Sequence, residues 1–210
     1  FGTKSVSDIE KDLEKFSKER KMELILPSLY SELEGDALPK IVSEISKTNY
    51  LSHIIIGLDR ANKSQAQKAW KFFKKIKTPF TILWNDGPKL KRLNDELKKK
   101  DLAPSQHGKG RNVWYCLGMC IARDEARSVA LHDCDIKTYD RRMLAKLFYP
   151  VVNPLFNFEF CKGYYPRVAQ NKMGGRVARL LVFPLITALE KTIGKSNYLE
   201  FMKSFKYPLA

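Results

Sequence analysis

Short, uninterrupted apolar runs separated by amphipathic helical segments constrain this chain more than any other feature. Residues 24–26 and 54–56 lack the alternating polar positions of a strand with one solvated face. Such runs are typical of strands that are covered on both sides, as in a parallel sheet with crossover helices on its two faces. The alternation of strand and helix along most of the chain therefore predicts an α/β fold with a mostly parallel sheet flanked by helices.

The spacing of apolar residues predicts where the individual elements lie. Helices are expected over residues 7–21, 37–45, 64–76, 89–100, 112–126, 138–148 and 176–191. Strands are expected over residues 24–27, 53–58, 80–84, 128–132 and 156–162, the first of them stopping at Pro27. Ser7 and Glu10 suggest a capping box for the first helix. We expect Trp70, Leu117 and Ile121 to point toward the core.

Length and charge narrow the class of protein. The chain has 210 residues, 44% of them hydrophobic, which suits one substantial domain over residues 1–210. Lys and Arg number 38 against 23 Asp and Glu, so the net charge is +15 and anionic partners are favoured. A lysine-coated surface with no such partner is the open alternative. The lysines are scattered and not interleaved with aromatic residues, so no nucleic-acid partner is expected.

The cysteines and the hydropathy pattern exclude further classes. Cys116, Cys120, Cys134 and Cys161 form no CxxC pair, so we expect buried free thiols and not a zinc site. No apolar run reaches the roughly 18 residues that a membrane span needs, and no signal peptide is visible. The sequence therefore predicts a cytoplasmic protein with no membrane partner.

Two carboxylates follow the predicted strand 128–132. Asp133 and Asp135 leave the sheet together on the side where ligands bind in open α/β folds. Because two close negative charges repel unless a cation joins them, Mg²⁺ (or Mn²⁺) is the expected cofactor. The alternative is a polar turn that caps the next helix. His132 beside them is read either as a hydrogen-bonded core histidine or as a residue close to the metal.

Two segments combine glycines with a cation at a predicted helix start. Gly108 and Lys109 precede one helix, and Gly174, Gly175 and Arg176 precede another. Backbone N–H groups at such positions, together with an ammonium or a guanidinium, bind phosphate or carboxylate groups. The alternative for each is a flexible glycine turn before a solvated helix. Neither segment is a Walker A loop or a dinucleotide fingerprint.

Polar residues also follow the first strands. The candidates after the first two strands are Pro27, Ser28, Leu29, Glu32 and Asp59, and those after the third are Asn85 and Asp86. Small residues and one acid in the segment 27–32 after the first strand suit a base and a ribose. A helix N-cap by Ser28 or Ser31 is the alternative.

Taken together, these motifs resemble the glucosyl-3-phosphoglycerate synthases, which are retaining glycosyltransferases with the GT-A fold. The motifs are residues 26–32, Gly108-Lys109-Gly110, Asp133 with Asp135, Lys162-Gly163-Tyr164-Tyr165 and Gly174-Gly175-Arg176-Val177. They occur in this order, and the resemblance runs from about residue 22 to residue 210. The resemblance implies transfer of glucose from UDP-glucose or GDP-glucose to the 2-hydroxyl of 3-phosphoglycerate, which leads to the compatible solute glucosylglycerate.

The resemblance also implies roles for individual residues. The donor would be bound by Pro27, Ser28, Leu29, Glu32, Asp59, Gly108, Lys109 and Asp133. The metal would be bound by Asp135 and Asp133, and the acceptor by Gly174, Gly175 and Arg176. Asp133, Asp135 and Lys109 would carry catalysis. Residues 1–21 would form an N-terminal helix, residues 22–135 the nucleotide-sugar-binding half and residues 136–210 an incomplete acceptor-binding half. We also expect a homodimer.

The sequence departs from the family pattern in places. Ala178 stands where a threonine contacts the acceptor, and Arg60 stands in a turn that is usually rich in Ser and Thr. The chain ends at Pro208-Leu209-Ala210, where the family continues toward a metal-binding histidine, so we expect weak donor binding and slow turnover. Open alternatives are a transferase of the same fold for mannose or another acceptor, a nucleotidyltransferase, and a basic nucleic-acid-binding module. No carboxylate stands out as a covalent nucleophile, which favours front-face transfer.

Overall fold

A four-stranded parallel sheet organises the larger part of the molecule. The computed structural model describes residues 4–104, 106–163, 168–169, 172–173 and 178–204, and the chain divides into two compact units, Phe1–Gly163 and Tyr164–Ala210. The first unit holds the strands β1 (Met22–Leu29), β2 (Leu51–Asp59), β3 (Phe80–Trp84) and β4 (Ser128–Leu131). All neighbours pair in parallel in the order β3-β2-β1-β4. The predicted parallel α/β sheet is therefore confirmed.

Six helices flank this sheet within the described part of the first unit. They are α1 (Val6–Phe16), α2 (Ala37–Ile45), α3 (Lys63–Phe73), α4 (Pro88–Lys98), α5 (Lys109–Arg123) and α6 (Arg141–Val152), and a 3₁₀ turn spans Tyr30–Glu34. The larger hydrophobic core draws on α1, α2, α3 and α6 and one face of the strands. On the other face Cys116 and Cys120 of α5 pack against Ile25 and Ile55. The cysteines 116, 120 and 134 are buried free thiols, as expected, whereas Cys161 is a free thiol of intermediate exposure, so its predicted burial was wrong.

Strand β1 does not stop at Pro27 but continues to Leu29. β4 pairs with β1 only as far as Ile25, whose carbonyl accepts from the backbone N–H of His132 at 3.1 Å. Residues two apart in a strand turn their backbone groups to the same side, so the ring nitrogen of Pro27 faces the side where β4 has ended. The missing N–H therefore costs no ladder bond, and the predicted stop was wrong.

Helix α5 begins at Lys109, three residues before its predicted start. Its buried residues are Asn112, Tyr115, Cys116 and Cys120. Leu117 is 43% exposed and Ile121 is 78% exposed, so the prediction that they face the core was wrong. The helix is rotated because the polar Asn112 packs against the sheet. Trp70 on α3 is likewise 51% exposed, and Ala69 and Phe73 fill the core instead.

Two further local predictions were wrong. The N-cap of α1 is Ser5, whose hydroxyl accepts from the N–H of Asp8 at 3.1 Å, so Ser7 and Glu10 form no capping box. Residues 156–162 form no strand, and Phe158 and Phe160 are 55% and 67% exposed. An apolar run becomes a strand only where a neighbouring strand receives its backbone groups, and within the described residues this segment has none.

The second unit contains short elements. β5 (Val168–Ala169) and β6 (Lys172–Met173) pair antiparallel, and a π-helical turn (Ala178–Val182) leads into α7 (Phe183–Ile193), which α8 (Asn197–Ser204) follows. The predicted helix 176–191 is thus present from residue 178 onward, with residues 176–177 outside the described part. The sequence had not predicted α8. None of the helices in the described residues is long and apolar enough to cross a bilayer.

Candidate active site

The carboxyl ends of β1, β2 and β4 and the start of α5 enclose a cleft of about 190 Å³. In a parallel sheet these strand ends meet at one edge, which is where ligands of open α/β folds bind. The cleft is lined by Pro27, Ser28, Leu29, Glu32, Asp59, Arg60, Gly108, Lys109, Asn112, Asp133, Cys134 and Asp135. Every residue that the sequence predicted for the donor and the metal therefore lines one cavity.

Lys109 reaches across the mouth of this cleft. Gly108 precedes it with a φ of 144°, a conformation that favours glycine, and acts as the N-cap of α5. The ammonium of Lys109 donates a hydrogen bond to a carboxylate oxygen of Asp133. The side chains of Lys109 and Asp133 are 56% and 36% exposed, so the pair is open to solvent and to an incoming anion. The helix start preceded by a glycine and the cation beside it, both predicted from the sequence, are therefore present.

Asn112 fixes the start of α5 against the sheet. Its side-chain amide donates to the carbonyl oxygen of Gly57 at 2.8 Å, and the residue is buried. A Cβ atom on Gly57 would lie 1.7 Å from the side-chain oxygen of Asn112, so only glycine allows this approach. The contact holds the first turn of α5, and with it Lys109, beside the end of β2. The sequence pattern does not reveal this role of Asn112, although the residue directly follows the Gly-Lys-Gly-Arg segment.

Asp59 at the end of β2 is paired with Arg111 of α5. One guanidinium nitrogen of Arg111 lies 3.6 Å from the carboxylate, and the two side chains are only 7% and 9% exposed. A second guanidinium nitrogen lies 3.5 Å from the imidazole of His107. Because Asp59 lines the cleft while Arg111 lies behind it, this pair forms one wall of the candidate site.

Glu32 lies at the other side of the cleft. Its carboxylate accepts from the backbone N–H of Leu29 at 2.9 Å. Burial raises the pKa of Glu32 above its ordinary value, while the hydrogen bonds from Leu29 and Ser28 act in the opposite direction. The 3₁₀ turn after β1 is preceded by Leu29 and has no serine side-chain cap, so the proposed N-cap by Ser28 or Ser31 was wrong.

The acid pair is separated by a buried thiol. Cys134 is 2% exposed, and burial raises the pKa of its thiol well above the usual value.

Helix α6 is capped by Asp140, whose carboxylate accepts from the N–H of Arg142. The alternative that Asp133 and Asp135 cap the next helix was therefore wrong.

His132 is a core histidine. It is 5% exposed, and its Nδ1 atom lies 3.0 Å from the hydroxyl of Tyr139. Burial lowers the pKa of His132 to about 4, so its imidazole is neutral near pH 7. Of the two readings of this residue, the hydrogen-bonded core position is the one observed.

Asp133 and Asp135 are the residues of the cleft that could hold a cation. Within the described ranges no group of three or more His, Cys, Asp or Glu side chains is arranged to bind a metal. Mg²⁺ binds through one or two carboxylates and completes its shell with substrate phosphates and water. Two carboxylates beside an open cleft fit that mode of binding and do not fit an all-protein metal cage.

The predicted acceptor residues Gly174, Gly175 and Arg176 lie outside the described residues. The sequence did not single out Arg60 or Cys134 as lining residues. Both directly adjoin predicted site residues, Asp59 in one case and the acid pair in the other. Arg60 and Cys134 line the cleft because they lie beside these residues at the ends of β2 and β4.

Comparison with known proteins bears on the whole chain. No family model matches it. It is 45% identical over 210 residues to the glucosyl-3-phosphoglycerate synthase of Persephonella marina, covering 100% of this chain and 52% of the relative. It is 38% identical over 203 residues to the enzyme of the same name from Methanococcoides burtonii, covering 95% of this chain and 50% of the relative. The chain thus spans about half the length of the curated relatives it matches.

Solved structures bear on the fold. The glucosyl-3-phosphoglycerate synthase of Mycobacterium tuberculosis in complex with Mn²⁺ and UDP-glucose superposes with a TM-score of 0.53 at 18% identity, covering 88% of this chain and 55% of that one. The same enzyme with Mn²⁺, UDP and phosphoglyceric acid gives 0.52 at 19% identity, with the same coverage of 88% and 55%. The resemblance carried by the motifs is therefore confirmed: the chain is similar along its length to glucosyl-3-phosphoglycerate synthases, of which it spans about half, and has their GT-A fold.

Proposed function

We propose that this chain provides the donor site and part of the acceptor site of a retaining, metal-dependent glucosyltransferase that moves glucose from a nucleoside-diphosphate glucose to the 2-hydroxyl of 3-phosphoglycerate. The observation that carries the proposal is the cleft in which Lys109 pairs with Asp133 beside Asp135 at the ends of parallel strands. The 45% identity to a relative named for this reaction supports the substrates. Residues 22–135 would bind the donor, and residues 136–210 would belong to the acceptor side.

The chemistry asks the site to stabilise negative charge on a departing diphosphate. A bound Mg²⁺ or Mn²⁺ ion, held by Asp135 and Asp133, would neutralise part of that charge. The ammonium of Lys109 would leave Asp133 and donate to a diphosphate oxygen, assisted by the N-terminus of α5. Lys109 is more than half exposed, so this exchange requires little rearrangement.

The nucleoside would lie against the end of β1. Pro27, Ser28 and Leu29 form a wall whose backbone is fixed by the hydrogen bond from the N–H of Leu29 to Glu32. A carboxylate at this place can accept from a ribose hydroxyl or a base N–H. Asp59, held by Arg111, would close the donor pocket on the side of β2.

The acceptor residues are proposed from the sequence. Gly174, Gly175 and Arg176 would bind the phosphate or carboxylate of 3-phosphoglycerate, since a guanidinium gives bidentate contacts to either group. Within the cleft no carboxylate is assigned as a covalent nucleophile, so we propose front-face transfer with retention. If Arg176 makes one charged hydrogen bond, Arg176→Ala should weaken the acceptor by about 1.5–3 kcal/mol and leave donor binding intact.

Thermal unfolding with sugar nucleotides tests the donor site. UDP-glucose or GDP-glucose should raise the Tm in the presence of Mn²⁺ or Mg²⁺, and a concentration 100 times the Kd corresponds to about 2.7 kcal/mol. Asp135→Asn, which removes one charge at constant shape, should abolish the metal-dependent part of this rise in Tm. Lys137→Gln nearby on the surface serves as the control. Stabilisation that survives Asp135→Asn unchanged would refute the metal assignment.

Product analysis tests the reaction and separates the remaining choices. Incubation with 3-phosphoglycerate and a panel of UDP- and GDP-linked glucose and mannose should give glucosyl-3-phosphoglycerate from a glucose donor. Formation of a mannosyl product, or of a nucleotidyl product from a sugar phosphate, would overturn this assignment in favour of a different transferase. We also propose a homodimer, which sedimentation velocity would test directly.

A further inference from the structure

Helix α3 and the turn that follows it carry positive charge that nothing in the described fold balances. Residues 61–85 contain six lysines and no acidic residue. Among the described residues none of these six forms a salt bridge, whereas Lys47 pairs with Glu44 and Lys99 pairs with Glu96. The six are all exposed, and they are Lys63, Lys68, Lys71, Lys74, Lys75 and Lys77. The α3 surface is defined by these six side chains and Trp70.

Helical spacing brings the lysines onto one face of α3. Lys68, Lys71 and Lys75 follow one another at intervals of three and four residues. Like charges at such intervals repel each other, so this arrangement opposes the stability of the helix. The opposite face of α3 packs into the core through Ala69 and Phe73. Charges that oppose local stability and are not required for packing indicate a partner that compensates for them.

The excess of positive charge is local and does not come from a uniform coat of lysines. Residues 1–59 contain 8 Lys and Arg against 11 Asp and Glu, although the whole chain has a net charge of +15. None of the six lysines lines the cleft at the acid pair, and none lines a second cavity of about 510 Å³ that α4 and α5 enclose. The donor and the metal proposed for the cleft therefore do not account for the α3 surface.

An exposed tryptophan lies beside the lysines. Trp70 is 51% exposed, and the ammonium of Lys74 lies 5.3 Å from the centroid of its ring. Phe72 is half-buried, with the ammonium of Lys75 5.5 Å from its ring centroid. Tryptophan combines a large apolar ring with an N–H donor, and it is enriched where membrane proteins meet the headgroup region of a bilayer. The α3 surface thus presents an interfacial aromatic residue next to a group of ammonium ions.

The kind of cation selects among anionic partners. All six are lysines, whose ammonium groups make point contacts, whereas arginine is the residue suited to bidentate contacts with bases and carboxylates. A groove with several aromatic rings for stacking would indicate single-stranded nucleic acid, but Trp70 is the exposed aromatic residue of α3 and its ring is contacted by Lys74. Lysines along one helix face beside a tryptophan fit a plane of mobile phosphate groups better.

We propose that the α3 surface binds the chain to anionic lipid bilayers. The lysines contact lipid phosphates, and Trp70 enters the headgroup region while Ala69 and Phe73 remain in the core. Binding of this kind needs no membrane-spanning segment, because it draws on the attraction between basic side chains and anionic lipids. The expectation of no membrane partner rested on the lack of a spanning segment in the sequence, so that reasoning does not extend to this mode of binding.

Sedimentation with lipid vesicles tests the proposal on the full chain. Vesicles that mix phosphatidylcholine with phosphatidylglycerol should bind the protein at low salt, and vesicles of phosphatidylcholine alone should not. Binding should be lost in about 1 M salt, where charges are screened beyond about 3 Å. Equal binding to the two kinds of vesicle, or binding to neither, would overturn the proposal and leave a lysine-rich surface without a lipid partner.

Charge-matched variants place the binding on α3. The triple variant Lys68→Gln, Lys71→Gln and Lys75→Gln should bind the mixed vesicles about 100-fold more weakly, since each lysine near an anionic surface contributes roughly a factor of five. The control makes the same change at three exposed lysines outside α3, which are Lys18, Lys89 and Lys100. Equal losses would assign the binding to net charge and refute a site on α3. Loss of like charges should not lower the Tm of the α3 variant, and if that variant fails to fold the two kinds of vesicle still decide on the unaltered chain.

Tryptophan fluorescence tests the part assigned to Trp70. Emission of the unaltered chain should move to shorter wavelength on the mixed vesicles, because the indole ring leaves water. Trp70→Phe should lose this shift, whereas Trp114→Phe, which removes a 44% exposed tryptophan on α5, should keep it. An unchanged shift in Trp70→Phe contradicts the entry of Trp70 into the headgroup region. A single-stranded oligonucleotide that binds more tightly than the mixed vesicles at the same salt concentration would overturn the lipid assignment in favour of nucleic acid.

Discussion

The two ends of helix α5 carry the same kind of ion pair in different surroundings. At its last residue Arg123 contacts Glu23 of β1 at 3.1 Å, and the two side chains are 23% and 0% exposed. At its first residue Lys109 contacts Asp133 after β4, and these side chains are 56% and 36% exposed. A buried pair is costly to break because it leaves a charge without a partner, whereas an exposed pair contributes little to folding. Burial therefore distinguishes a structural pair from one that is available to a ligand.

The helix dipole sharpens this contrast. Arg123 in the last turn lies where a cation is favourable. Lys109 and Arg111 lie in the first turn, which contains no acidic residue and where cations are unfavourable. Charges that oppose local stability are expected at functional sites, since a bound anion would compensate for them. The first turn of α5 is therefore the end suited to a phosphate.

Removing the buried pair should have the largest effect on stability. Arg123→Met keeps the length of the side chain but leaves Glu23 buried without its cation. The free energy of unfolding should fall by about 3–5 kcal/mol, measured by urea denaturation. Lys21→Met is the matched control, because Lys21 pairs with Glu125 at 3.3 Å with both side chains more than 40% exposed. Similar losses of unfolding free energy in the two variants would show that burial does not decide how much each ion pair contributes to stability.

The carboxyl edge has a buried titratable group of its own in His132. Its pKa of about 4 in the folded chain lies below the ordinary value of 6.5. Between these values the unfolded chain binds the proton and the folded chain does not, so stability is fully present above about pH 6.5 and falls as the pH drops toward 4. The loss from this group should reach about 3 kcal/mol. Urea denaturation of the unaltered chain and of His132→Gln across this range should give a smaller pH dependence in the variant; parallel curves would contradict the assignment.

The contact that positions the first turn of α5 can be strained directly. Gly57→Ala would place a Cβ atom 1.7 Å from the side-chain oxygen of Asn112 and 2.7 Å from the sulfur of Cys116. Overpacking of this kind should lower the unfolding free energy by about 1–3 kcal/mol. Asn112→Ala removes the closest clash, so the double variant should lose less than the sum of the single variants. Additive losses would show that Asn112 and Gly57 do not act on each other.

The sequence predicted the sheet from the pattern of apolar residues, and it predicted the site residues from their position directly after the strands. An apolar run covered on both faces indicates a parallel strand, and polar residues after such strands must meet at one edge. The rotation of α5 could not be read in the same way. Hydropathy assigned Leu117 and Ile121 to the core. The hydrogen bond from Asn112 to Gly57 instead orients α5 so that its polar residue Asn112 faces the sheet. That contact joins two elements that are distant in sequence, so local periodicity does not reveal it.

The smallest expected change in stability belongs to Lys109, and it tests the contrast most sharply. Lys109→Met should change the unfolding free energy by less than about 1 kcal/mol, since its pair with Asp133 is solvent-exposed. The same change should weaken UDP-glucose binding in the presence of Mn²⁺ by at least about tenfold, because a charged hydrogen bond to the diphosphate is lost. Lys99→Met, which breaks an exposed pair with Glu96 on α4, removes the same charge away from the cleft. If both variants lose affinity equally, general charge and not the position of Lys109 explains the binding. If Lys109→Met instead destabilises the fold as Arg123→Met does, the ion pairs at both ends of α5 are structural. The assignment of the first turn as the phosphate-binding end would then be wrong.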